Sequence, residues 1–271
     1  MQLKSRIKNL ALKNRISAQA VLQNFMLERL LERISVSKYK DIFILKGGML
    51  IASMIGIGSR TTMDMDATIR GYPLSDRTIH NAFTEICSIL LDDDVILMLY
   101  SITPIRDEDE YGGYRLMITA CYETINTPLK VDVTTGDIIT PKAVRYIFYS
   151  SFEEKQIEIW AYNIETILAE KVETILRRSV LNTCPRDFYD VYILMKTDHR
   201  MVDKELFAAA LNATARKRAS LTALQDQRKI LQAIGSDHPI RQRWDLYCKE
   251  NFYANNIKFD DVINLLVEIL N

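Results

Sequence analysis

Residues 42–69 read IFILKGGMLIASMIGIGSRTTMDMDATI, and the change of pattern inside this stretch decides the fold. Ile42, Phe43, Ile44 and Leu45 form a continuous apolar run, as a buried strand does, and Gly47-Gly48 stops it with a tight turn. Met49 to Ile55 then reads as a short helix. From Met63 to Ile69 positions 63, 65, 67 and 69 are apolar while 64, 66 and 68 are polar, so the period is two and the segment is a strand. Asp64 and Asp66 therefore leave the same face, where their oxygens can converge on hard cations.

Working outward, the apolar residues Val21, Leu22, Phe25, Met26, Leu30 and Ile34 keep helical spacing, with Ser17 as N-cap. Asp76 to Leu91 is a second helix, and Val95–Ile102, Tyr114–Tyr122 and Leu129–Thr134 are further strands. The acidic segment from Arg106 to Gly113 joins the first two of these strands as a hairpin loop. From Ile164 the pattern turns helical, over Ile164–Arg178, Pro185–Lys196, Lys204–Leu211, Ser220–Ile234 and Asp260–Leu270. The shift near 155–163 predicts an α+β domain over 1–160 and a helical domain over 161–271.

Composition removes several function classes. The chain has 271 residues, 48% of them hydrophobic, enough for a real core without disulfides. Cys87, Cys121, Cys184 and Cys248 form no CxxC pair that would grip zinc, which fits a reducing cytoplasm, and no run is long and apolar enough for a signal peptide or a membrane span. Lys plus Arg equals Asp plus Glu at 35 each, so any polyanion must be met by a local basic patch. Arg216, Lys217, Arg218, Arg228 and Lys229 against Asp226 offer one, with Arg177 and Arg178 just beyond the turn that carries Lys171 and with Arg241 and Arg243 following; a solvated helix face reads the same way. Asp92-Asp93-Asp94 and the acids of 107–110 read as loop charges.

Asp132 supplies a third carboxylate. In Leu129–Thr134 the apolar residues point one way, and Lys130, Asp132 and Thr134 the other. Beside the Asp64/Asp66 strand this would bring three acids to one patch, the set that clamps attacking and leaving oxygens in phosphoryl transfer. Taken alone, the Asp64/Asp66 pair and Asp132 each read more readily as a solvated sheet face or an edge-strand charge. In Ile164–Arg178 the stripe of Ile164, Ile167, Leu168, Val172, Ile175 and Leu176 leaves Lys171 projecting from the helix. Asp187 and Asp190, three apart behind Pro185, share one helix face, where acids near a helix start also serve the dipole.

Lys46-Gly47-Gly48-Met49-Leu50 followed by Arg60-Thr61-Thr62-Met63-Asp64-Met65-Asp66 resembles the first motif of the DNA polymerase β-like nucleotidyltransferases. It is closer to the AbiEii/AbiGii toxin branch, in which GG, a helix, R-x-T and DxD run in this order. Lys130-Val131-Asp132-Val133 is similar to the second motif, and the Lys171 helix and Arg186-Asp187-Phe188-Tyr189-Asp190 are similar to the later ones, the last being R-D-x-x-D. The motifs span 46–192, a little over half of the chain; the remainder resembles the family only in being helical.

The resemblance implies a polymerase β-like α+β domain with a mixed sheet, followed by a helical domain. It implies transfer of an NMP from an NTP to an acceptor hydroxyl, with Mg²⁺, in a two-metal site, held by Asp64, Asp66 and Asp132. Lys46, Gly47, Gly48, Arg60, Thr62, Lys130 and Lys171 would meet the nucleotide. Asp187 or Asp190 would orient Lys171, bond the substrate or act as a base, and the residues leave these roles open. It further implies a toxin of a type IV toxin–antitoxin or abortive-infection pair, with a separately encoded antitoxin and an RNA acceptor, tRNA being favoured. A metal-dependent nuclease and a non-catalytic binding protein of the same fold are the alternatives. Against the nuclease, Lys130-x-Asp132 reverses the acid-x-Lys order many nucleases carry.

Overall fold

The computed structural model of the chain describes residues 3–105, 112–198 and 202–271. The chain divides into two units, one of Met1–Asp137 and Ala143–Tyr162, the other of Ile138–Lys142 and Asn163–Asn271. The first contains helices α1 (Leu3–Asn14), α2 (Ala18–Val36), α3 (Gly47–Ile55) and α4 (Asp76–Ser88) and strands β1 (Phe43–Lys46), β2 (Asp64–Ile69), β3 (Val95–Ile105), β4 (Gly113–Tyr122), β5 (Ile125–Thr135), β6 (Val144–Tyr149) and β7 (Gln156–Ala161). The acidic loop expected at 107–110 lies outside the described residues.

The strands form one mixed sheet in the order β3-β4-β5-β2-β1-β7-β6. β2 runs parallel to β5 and β1 parallel to β7, and the other neighbours are antiparallel. Alternation sets the two faces. Met65, Ala67, Leu129, Val131, Val133, Leu116 and Ile118 are all buried, as are Val21, Met26, Leu27 and Leu30 of α2 and Ile79, Phe83 and Ile86 of α4. Each such aliphatic side chain contributes about 1.5–3 kcal/mol by leaving water. Because the period is two, burying one set forces Asp64, Asp66, Lys130 and Asp132 onto the opposite face.

Ser17 caps α2 as the sequence predicts, its Oγ accepting the Ala20 N–H at 3.1 Å. That helix also buries charge: Glu28, Arg29, Glu32 and Arg33 are all at most 5% exposed. Arg33 forms a fork with Asp93 at 2.7 and 2.9 Å, and Asp93 also accepts the Val95 N–H. Asp93 is therefore not the loop charge expected of an Asp-Asp-Asp run; it neutralises a buried arginine, a role that depends on a residue 60 positions away.

The second unit is helical: α5 (Ile164–Arg178), α6 (Pro185–Asp198), α7 (Lys204–Lys217), α8 (Leu221–Gln225), α9 (Gln227–Ser236), α10 (His238–Glu250) and α11 (Phe259–Ile269). Asn163 caps α5, its Oδ1 accepting the Thr166 N–H at 2.8 Å, while its Nδ2 donates to the Thr140 and Lys142 carbonyls and ties segment 138–142 to this unit. The helix expected over Lys204–Leu211 continues to Lys217, because Thr214 and Ala215 are also buried. Ser220–Ile234 is two helices that meet at Asp226.

Candidate functional site

The carboxylate face is built by register. Asp66 of β2 is the Cα partner of Asp132 on β5 and of Lys46 on β1, and Asp64 is the partner of Lys130. The next strand sets Arg115 opposite Asp132. One sheet face therefore carries Lys46, Asp64, Asp66, Arg115, Lys130 and Asp132, with Gly47 opening α3 beside it.

Gly47 has φ +68°, and a Cβ built on it would lie 2.1 Å from Asp66 Oδ2. The Asp66 carboxylate thus rests against the first residue of α3, in space that only glycine leaves free. Lys46, at the N-cap of this helix, makes no side-chain capping bond, so the first-turn N–H groups are not satisfied in that way, and such a helix start favours anions. A Cβ on Gly48 would meet Thr62 Oγ1 at 2.9 Å and Arg60 Nη2 at 3.0 Å. Arg60 and Thr62 are 2% and 3% exposed, so both brace the Gly-Gly turn from beneath. Thr62 also donates to Asp64, at 3.0 Å to its carbonyl and 3.2 Å to Oδ1.

Basic side chains meet the acids. Lys130 Nζ lies 2.5 Å from Asp64 Oδ2, and Arg115 grips Asp132 in a fork of two 2.8 Å bonds. The hydrogen bonds that Arg115 donates to Asp132, helped by the charges of Asp132, Asp64 and Asp66, hold the Arg115 pKa above its ordinary value. Among the described residues no three or more His, Cys, Asp or Glu side chains are grouped to hold a metal ion as the side chains stand. The donor set nevertheless suits a hard divalent cation, being all carboxylate and confined to two adjacent strands, with Gly47 leaving the space that Asp66 uses.

Sequence reasoning missed Asp137 and Arg115. Asp137 Oδ2 accepts from Lys46 Nζ at 2.6 Å and from Thr134 Oγ1 at 2.8 Å. Burial pushes the Asp137 carboxyl up, but the Lys46 charge and the hydrogen bonds from Lys46, Thr134 and Thr68 outweigh it and hold the pKa below the usual aspartate value. The signal for Asp137 was Gly136 closing a strand; for Arg115 it was a lone cation in an alternating strand.

In the second unit Lys171 of α5 reaches Asp187 at 2.8 Å and Asp190 at 3.1 Å on α6, and both acids are buried, Asp190 completely. The expected association of this lysine with R-D-x-x-D is thus a direct ion triad. The basic stretch fares differently. Glu173, 1% exposed, receives Arg218 at 2.6 Å, Arg177 at 3.0 Å and the Ser220 hydroxyl at 2.7 Å. Arg177 and Arg218, expected among residues that would line an RNA, instead neutralise a buried glutamate. Arg241 pairs with Asp260 at 2.5 Å and Lys229 with Asp226 at 3.4 Å. Arg178, Arg216, Arg228 and Arg243 are exposed. Among the described residues no helix is long and apolar enough to cross a membrane.

The profile described as "Nucleotidyl transferase AbiEii toxin, Type IV TA system" matches residues 29–265. A search of curated protein sequences gives no match. Among solved structures, MenT4, a nucleotidyltransferase toxin of Mycobacterium tuberculosis H37Rv, is similar with a TM-score of 0.60 at 14% identity, covering 100% of this chain and 98% of that one. JHP933 from Helicobacter pylori is similar with a TM-score of 0.53 at 16% identity, over 94% of this chain and 91% of that one. At these identities the structural likeness speaks to the fold, and the α+β mixed sheet with a helical C-terminal region is the fold those chains share.

Proposed function

Because the chain belongs to the AbiEii nucleotidyltransferase toxin family of type IV toxin–antitoxin systems, we propose that it transfers an NMP from an NTP to the terminal hydroxyl of an RNA, with tRNA the favoured acceptor and pyrophosphate leaving. The observation that carries this reading is the placement of Asp66: opposite Asp132 on a parallel neighbour and against the first residue of α3. Carboxylates that attract cations and backbone N–H groups that attract phosphate oxygens then share one place, as nucleotide chemistry requires.

Asp64, Asp66 and Asp132 would hold Mg²⁺, which would supply charge stabilisation for the attacking and leaving oxygens. Gly47 and Gly48 let the triphosphate approach the backbone, while Arg60 and Thr62 keep the turn in shape from below. Lys46 and Lys130 place ammonium groups on the carboxylate face, where they offset phosphate charge. Lys171, oriented by Asp187 and Asp190, is the candidate cation of the helical unit for the transferred group, and the two acids keep it from swinging away. Of the basic residues, Arg178, Arg216, Arg228, Lys229 and Arg243 are exposed and are the ones left for RNA phosphates. The family's antitoxin is the protein partner, and a reducing cytoplasm is the expected location.

The test is to incubate the purified protein with Mg²⁺, total tRNA and each of the four NTPs in turn, labelled at the α-phosphate. Label should enter the RNA with one NTP preferred. Shortened RNA carrying no label would replace this reading with a nuclease.

A further inference from the structure

Asp137 belongs to none of the sequence motifs, yet it holds the lysine that opens the first of them. Gly136, at φ +78°, turns the chain at the end of β5, and Asp137 follows it. Its Oδ2 accepts from Lys46 Nζ at 2.6 Å and from Thr134 Oγ1 at 2.8 Å. The Lys46 and Asp137 side chains are only 14% and 12% exposed. Lys46 is the last residue of β1, the register partner of Asp66 and the N-cap position of α3. The Lys46 ammonium also sits 5.8 Å from the centre of the Tyr162 ring, close enough for the ring face to attract it.

A lysine ammonium is a point charge on a flexible four-carbon stem, and an exposed partner would hold it loosely. A short, largely desolvated pair, with Thr134 bonding the same carboxylate oxygen, holds it in one place. We propose that Asp137 is a positioning residue for nucleotidyl transfer: it fixes the Lys46 ammonium beside the amino end of α3, where the triphosphate of the incoming nucleotide is received. The proposal rests on the nucleotidyltransferase reading of the same face and adds to it a carboxylate that touches neither metal nor substrate. Unlike Asp64, Asp66 and Asp132, Asp137 acts through the lysine alone. Removing it should therefore weaken the grip on phosphate without changing the acceptor chemistry.

The experiment measures equilibrium binding of each NTP, with Mg²⁺, by calorimetry. The proteins are the unaltered chain, Asp137→Asn, Asp137→Glu, Lys46→Met and the double variant Lys46→Met/Asp137→Asn, each checked for folding by circular dichroism. Asp137→Asn should weaken binding of the preferred NTP by about tenfold, the size expected when a charge-assisted hydrogen bond is lost. Asp137→Glu should recover part of it, and Lys46→Met should lose as much. On the Lys46→Met background, Asp137→Asn should cost nothing further, because the two act as one unit. If Asp137→Asn alone does not fold, Asp137→Glu carries the test: it should bind the preferred NTP more weakly than the unaltered chain and more tightly than Lys46→Met, and binding equal to that of the unaltered chain would overturn the proposal. A folded Asp137→Asn that binds like the unaltered chain, or additive losses in the double variant, would overturn the proposal. An unaltered chain that binds none of the four NTPs would instead remove the transfer reading on which the proposal stands.

Discussion

Asp66 and Asp132 face one another across adjacent parallel strands, and the carboxylate of Asp66 rests on Gly47, the first residue of the following helix in space and the preceding one in sequence. Three distant segments meet there, because β2 is inserted between β1 and β5 in the sheet. The chemistry assigned to this face follows from that insertion.

Gly47→Ala is the sharpest probe of the contact. An alanine there would carry its Cβ into Asp66 Oδ2 and hold a left-handed backbone at φ +68°. A stability loss of about 1–3 kcal/mol is expected from the backbone alone, measured by urea unfolding. Transfer activity should fall well beyond what the unfolded fraction explains, because Asp66 must also move.

If Asp132 holds a cation as proposed, Arg115, forked onto the same carboxylate, would compete with it. Its side chain is 45% exposed, so Arg115→Ala should change stability by less than about 1 kcal/mol. With the fork gone, Mn²⁺ used as a Mg²⁺ surrogate should bind more tightly in an EPR titration. Weaker Mn²⁺ binding would show that Arg115 supports the cation site. Chelation by EDTA should stop transfer by the unaltered chain.

Lys171→Met leaves Asp187 and Asp190 as buried carboxylates stripped of that cation. Breaking a buried pair from one side costs about 3 kcal/mol or more. Adding Asp190→Asn should return much of the lost stability in thermal melts, while transfer stays lost. Recovery of both together would make the triad purely structural.

How far the sequence foretold these features depends on whether the deciding interaction is local. β1, α3 and β2 were legible because a buried run, a Gly-Gly turn and a two-residue alternation lie within 42–69. α1 carries Leu3, Ile7 and Ala11 at helical spacing, but a stripe of three among many basic and polar residues is a weak signal. α10 is hard to read from its sequence because it is so polar; Asp237 as N-cap followed by Pro239 is the sign it carries. Strands β6 and β7 are short, and only the alternation of Ile157 and Ile159 signals the second of them. The ion pairs were the least legible part. Asp93 with Arg33, Asp137 with Lys46 and Glu173 with Arg218 join positions 60, 91 and 45 apart, and an isolated charge does not announce a distant partner.

Glu28 offers a test of the fold away from the site. Burial raises its pKa above the ordinary 4.5, against the lowering effect of hydrogen bonds from Ser150 and Ser151 and the charge of Arg29. A carboxyl raised in the folded state contributes stability that is complete below the unfolded pKa and lost as pH rises through the folded value. The melting temperature of Glu28→Gln, relative to the unaltered chain, should therefore climb as pH is raised from 4 toward 7. A difference independent of pH would contradict the raised pKa.

Whether the chain moves a nucleotidyl group is decided by which phosphate of the NTP carries the label. Parallel reactions of the purified protein, Mg²⁺ and tRNA would use the preferred NTP labelled at either the α- or the γ-phosphate. The α-label should enter RNA while the γ-label leaves entirely as pyrophosphate, and Asp64→Ala should abolish both. Appearance of γ-label in RNA, or cleaved RNA with neither label, would contradict nucleotidyl transfer.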